Sequence, residues 1–117
     1  MATQAEIEFT LGETWKIALV CNDASGKALD LTGGNVEMRV ASRTGKLLDL
    51  AVGTGVVITD AVNGKAFITV TPAMQTTANL IAGIFDWEAR AILADGEVSD
   101  QAYGKITLLG SLFVSFA

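Results

Sequence analysis

Hydrophobic residues recur with a period of two along most of the chain. Ile7, Phe9 and Leu11 alternate with polar residues, Trp15, Ile17, Leu19 and Cys21 keep the same interval, and Val36, Met38 and Val40 frame Glu37 and Arg39. Successive side chains of a strand point to opposite faces, so this spacing predicts strands with one wet face. Further strand-like segments cover Leu47 to Val52, Val56 to Thr59, Lys65 to Thr71, Ile84 to Leu93 and Val98 to Leu108. Between Lys65 and Thr71, Phe67, Thr69 and Thr71 oppose Ala66, Ile68 and Val70.

Turn chemistry separates these segments: Asp23-Ala24-Ser25-Gly26, Arg43-Thr44-Gly45, Val62-Asn63-Gly64 and Ala94-Asp95-Gly96. Asn63-Gly64 and Asp95-Gly96 predict type I′ hairpin turns. Only Pro72 to Ala82 breaks the pattern. Pro72 opens a helical turn, and Met74, Ala78 and Ile81 fall on one side at helical spacing with Leu80 nearby, which predicts a short connecting helix. The expected architecture is all-β: one domain spanning 1–117, an Ig-like β-sandwich of seven or eight mainly antiparallel strands with one short helix. A small barrel is the runner-up.

Composition supports a folded chain and narrows its chemistry. The chain has 117 residues, 50% hydrophobic and 18% charged, against the profile of disorder. A chain of this size buries roughly two-thirds of the surface its unfolded form exposes, enough for a core without disulfides or metal. The net charge of −5 opposes binding to phosphate backbones, so no nucleic-acid partner is expected. The near-apolar stretch Ile106 to Ala117 is shorter than the ~20 residues that span a bilayer, and no membrane partner is expected. The start, Met1-Ala2-Thr3-Gln4-Ala5-Glu6, lacks the basic and then apolar run of a secretory signal, which implies synthesis in a cytoplasm.

With no His and one Cys, nucleophilic catalysis lacks its usual base, and side chains offer few zinc or copper sites. Cys21 continues the Trp15, Ile17, Leu19 face and reads as core; redox sensing is its functional alternative. Asp86 and Glu88 share one strand face with Arg90, which can offset their charge, so a solvated face is expected there. Asp95, Glu97 and Asp100 lack the spacing of a calcium loop and read as turn residues. Gly53-Thr54-Gly55 has no third spaced Gly or following helix for a phosphate cradle and reads as a bulged turn. Trp15, Trp87, Phe9, Phe67 and Phe85 are assigned to the core, where a sugar platform would need aromatics exposed together. No catalytic, metal or cofactor-binding residue is assigned, and no enzyme activity is expected.

Phe9-Thr10-Leu11-Gly12-Glu13-Thr14-Trp15 is similar to an F-x-x-G-[DE]-T-x opening, and the segment Asp23 to Gly33 to D-x-x-G-x-x-x-D-L-T-G. Thr77 to Trp87 matches T-x-x-L-x-x-G-x-[YF]-x-[YW]; Val36 to Val40, Thr59-Asp60-Ala61 with Gly64, and Gly104-Lys105-Ile106 add weaker matches. Together, from Phe9 to about Leu108, these resemble small Ig-like structural modules of tailed bacteriophages and prophages, such as the N-terminal domains of baseplate upper proteins. Ala28-Leu29 departs from the pattern, where a Pro is common, and no long C-terminal extension follows, so a full adaptor with a receptor-binding arm is not expected.

The resemblance implies a non-enzymatic virion component of tail, baseplate or capsid surface, made in the bacterial host cytoplasm. Its expected partners are other virion proteins and further copies of itself. The motif residues Gly12, Trp15, Asp30, Thr32, Gly33, Gly83 and Trp87 are turn and core residues by their chemistry. The alternative function is a carbohydrate-binding or host-adhesion domain on the same scaffold. Residues 109–117 are largely apolar, with Leu112, Val114 and Phe116 on one side of an extended strand and Phe113 on the other. They are expected to form an assembly contact by strand addition to a neighbour, with a final core strand as the competing reading.

Overall fold

The computed structural model describes residues 2–110. Nine strands and one helix follow in order: β1 (Thr3–Gln4), β2 (Ile7–Thr10), β3 (Trp15–Val20), β4 (Asn35–Ser42), β5 (Gly45–Val52), β6 (Gly55–Asp60), β7 (Lys65–Val70), α1 (Pro72–Thr77), β8 (Gly83–Ile92) and β9 (Val98–Leu109). The fold is all-β. The strand order is β1-β9-β8-β4-β5-β6-β7-β3, with β2 also on β9. Most neighbours are antiparallel, while β1 and β2 both run parallel to β9 and count as one edge strand interrupted at Ala5-Glu6. The interruption has a local cause. Ala5 donates its N–H to the Tyr103 carbonyl (2.8 Å), while its own carbonyl accepts from the Trp87 indole (2.9 Å).

The expected sandwich is a half-barrel: one curled sheet whose two halves enclose the core. The sheet stays continuous because β5 passes directly into β6 through Gly53-Thr54. Thr54 donates to the Ala51 carbonyl (2.8 Å), Ala51 donates back to Thr54 (3.1 Å), and Ala51 and Val52 pair in register with Gly55 and Val56. At the other side nothing among the described residues closes the curl: β2 and β3 are both terminal strands there, joined through the short Leu11 to Thr14 turn.

Alternation fills the interior as the sequence leads one to expect. Trp15, Leu31, Val36, Met38, Val40, Ile68, Val70, Ile106 and Leu108 are fully buried, each worth about 1.5–3 kcal/mol by side-chain size. Two side chains depart from their expected places. Phe67 lies on the outer face, half-exposed, because Ala66, Ile68 and Val70 take the inward positions of β7. Ile81 is 67% exposed. The helix ends at Thr77, and Asn79 adopts a left-handed conformation (φ 55°), which turns Leu80 rather than Ile81 onto the core.

The hairpins also differ from the type I′ expectation. Gly64 and Gly96 have positive φ, whereas Asn63 and Asp95 do not. Gly64 donates to the Ala61 carbonyl (3.1 Å), Gly96 to Leu93 (2.9 Å), and Leu93 to Glu97 (2.8 Å). These are type I turns followed by a left-handed Gly, which need positive φ at one residue instead of two. Asp23 to Lys27 repeats the same bonds.

Candidate functional site: an open sheet side and a charged groove

The residues singled out by the family-like motifs build the scaffold. Trp15 is buried, stacks on Phe9 (centroids 5.1 Å apart, planes at 13°) and donates its indole N–H to the Thr10 carbonyl (3.0 Å). Trp87 is buried on β8 and holds Ala5. Asp30 accepts from the Thr32 amide (2.9 Å) and hydroxyl (2.6 Å), forming the corner that Gly33 (φ 73°) completes. These hydrogen bonds hold the Asp30 carboxyl below its usual range. Gly12 (φ 91°) sits in the β2–β3 turn, and Gly83 opens β8 with the Phe85 ring against it. Leu112, Phe113, Val114 and Phe116 lie outside the described residues.

Two glutamines absent from those motifs mark the ends of the open side. Gln75 and Gln101 are the buried polar side chains among the described residues. From α1, Gln75 accepts the Gly12 N–H (2.8 Å) and donates to the Glu13 carbonyl (2.6 Å), pinning the β2–β3 turn. From β9, Gln101 accepts the Asn22 N–H (2.8 Å) and donates to the Asn22 carbonyl (3.1 Å), pinning the chain just past β3. Each amide satisfies two backbone groups, which explains why burying it is tolerated. No periodicity singles out a glutamine, and Gln101 is out of phase with the inward Ala102, Ile106 and Leu108; it turns inward because the ladder with β8 bulges there, Ala89 pairing with Ala102 and Arg90 with Asp100.

Between these clasps the open side exposes two edges that are unpaired among the described residues. Ile7 and Phe9 of β2 and Ile17 of β3 point inward and pack on the core, yet remain only partly buried. Glu8 and Lys16 stand on the outer faces of the same strands, exposed.

The outer face of β5-β4-β8-β9 carries a groove of about 690 Å³. Register sets its floor: Gln4 lies beside Tyr103, Tyr103 beside Glu88, Glu88 beside Arg39, and Arg39 beside Asp49. Arg39 binds Asp49 through two bonds (2.7 and 3.2 Å), and Lys46 joins them at 3.0 Å. That contact with Arg39 lowers the Asp49 carboxyl from its ordinary value. Arg90, expected to offset Asp86 and Glu88, instead binds Glu37 across the β4–β8 ladder (2.9 Å), while Asp86 binds Lys105 (2.6 Å). Cross-strand neighbours lie nearer than residues two apart on one strand, so register decides the pairing. Among the described residues the Glu88 carboxylate and the Tyr103 hydroxyl, the latter on a residue 44% exposed, have no side-chain partner.

The remaining candidate chemistry is structural. Cys21 is fully buried, and burial pushes its thiol up to about 11, away from nucleophilic reactivity. Asp95 accepts the Glu97 amide (2.8 Å) as a turn residue, and no three acidic or thiol groups among the described residues converge on a metal position. No protein-family model matches the chain, and no curated protein sequence matches it.

Proposed function

We propose that this chain is a non-enzymatic structural component of a bacteriophage virion, in the tail, baseplate or capsid surface, acting through protein–protein assembly. The observation that carries the assembly reading is the open side, where two strand edges unpaired among the described residues flank half-buried Ile7, Phe9 and Ile17. Free edges with apolar side chains between them are suited to strand addition by another subunit. The virion assignment is supported by the motif resemblance, whose residues serve as turns and core. Quantitative peptide mass spectrometry of phage particles purified from the source bacterium tests it. The chain is expected in a fixed, repeated copy number, and its absence from purified particles overturns the reading.

A second reading, carbohydrate binding, is favoured by one observation: Tyr103 offers an exposed ring in the groove beside Glu88, Arg39 and Gln4, whose polar groups suit hydroxyl recognition. It is the weaker reading, because Trp87, which also lines the groove, is buried and leaves Tyr103 as its exposed aromatic. A glycan array with the wild type and Tyr103→Ala decides it. Glycan binding abolished by the substitution supports the reading, and an array without signal removes it.

A further inference from the structure

The two edge strands have matching heights. Phe9 stacks on Trp15 across the open side, so stepping away from the turn along the antiparallel strands brings Glu8 level with Lys16 and Ile7 level with Ile17. Neither Glu8 nor Lys16 forms an ion pair among the described residues. The acidic edge and the basic edge therefore lie at the same height on the two lips of one opening.

The geometry points to a second copy of this chain docking across the open side, on a two-fold axis parallel to the strands, so that β2 of each copy adds to β3 of the other. This inference rests on the assembly reading and names its contact. A rotation about an axis along the strands keeps height and direction. It brings β2 against the β3 of the other copy in antiparallel sense, with Glu8 beside Lys16 at two symmetry-related places. A two-fold perpendicular to the strands would instead set β2 against β2 and β3 against β3, opposing Glu8 with Glu8 and Lys16 with Lys16. Charge selects the first arrangement, since like charges directly opposite destabilise a strand pair. The contact pairs both free edges and covers Ile7, Phe9 and Ile17 of both copies, closing two half-barrels against each other.

The competing reading is that Glu8 and Lys16 only guard their edges against unwanted pairing. Native mass spectrometry and light scattering of the full chain, as wild type, Glu8→Lys, Lys16→Glu and the double variant, separate the two. The wild type is expected at twice the monomer mass. Either single reversal should weaken the dimer at least ten-fold, and the double variant, which exchanges the signs, should recover it. Both side chains are exposed, so superimposable circular dichroism spectra of the four proteins confirm that folding is not the cause. Failure of the double variant to recover overturns the inference, and so does a dimer indifferent to either reversal. An oligomer that survives all the reversals leaves the assembly reading standing through another surface. A monomer at every concentration overturns both this contact and self-assembly.

Discussion

Gly64 is a position where backbone geometry leaves little freedom. It has φ 69°, and a Cβ there would run into the Cys21 carbonyl and lie 2.8 Å from that of Leu29, while its own carbonyl accepts the Cys21 N–H (2.7 Å). Gly64→Ala is expected to cost about 2–3 kcal/mol. Gly26→Ala, at a similar φ of 84° with open space around it, should cost only about 1 kcal/mol from backbone strain. Thermal melts of the two variants check the difference, at about 4–8 °C per kcal/mol for a domain of this size.

Titration at single residues also sets how stability changes with pH. Burial raises Cys21 from 9.0 to about 11, so the folded state holds that proton more tightly than the unfolded chain. Its contribution is complete below pH 9 and is lost as pH rises through 9 towards 11. Asp30 and Asp49 shift the other way, lowered by the Thr32 hydroxyl and by Arg39 respectively, so theirs is present above the usual carboxylate value of 3.8 and is lost on further acidification. Melting temperature should fall at both extremes; Cys21→Ala flattens the alkaline limb and Asp30→Asn reduces the acid one.

Among the elements, the most informative are those that close the curl at its ends. Replacing Gln75 by Ala strands the Gly12 N–H and Glu13 carbonyl, and replacing Gln101 by Ala strands both backbone groups of Asn22. Each is expected to cost about 1–3 kcal/mol, the usual price of leaving buried polar groups unpaired. Because the two clasps share no partner, the double variant should lose nearly the sum. Denaturant melts measure all three, and a much smaller effect at one end would mean that water replaces that amide. Helix α1 was readable because Pro72 suits a first helical turn; its N-cap, the Thr71 hydroxyl accepting the Met74 N–H (3.3 Å), was hidden at the end of a strand-like segment. Its end was not readable either, since a left-handed Asn79 leaves no mark in the hydrophobic spacing. The Arg90–Glu37 pair was similarly hidden, because it depends on which strand lies beside β8.

For the whole molecule, the far-ultraviolet circular dichroism spectrum is expected to be that of a β protein, with the six-residue α1 adding little. Deleting Ser111 to Ala117 removes the apolar residues proposed to add a strand to a neighbour. It should leave the melting transition nearly intact while lowering the oligomer mass by light scattering. Loss of folding would instead assign those residues to the core. A truncated chain that stays dimeric yet no longer forms larger species would show two separate contacts per subunit, one across the open side and one through the C-terminal residues.

Period-two alternation determined most strands, most of their inward faces and the all-β class, because burying one face of a pleated strand is a local demand that the residue order must meet. Turn residues placed the connections for a similar reason: Asp30, Gly33 and Gly64 answer to bonds and angles within a few neighbours. Tertiary structure decided the rest. Whether the halves form separate sheets or one half-barrel depended on the Ala51–Thr54 bonds at the β5–β6 passage. Which edges stay free among the described residues, and why Gln75 and Gln101 are buried, depend on residues far apart in the chain meeting across the curl. No local pattern can encode a distance that exists only after the sheet has curled.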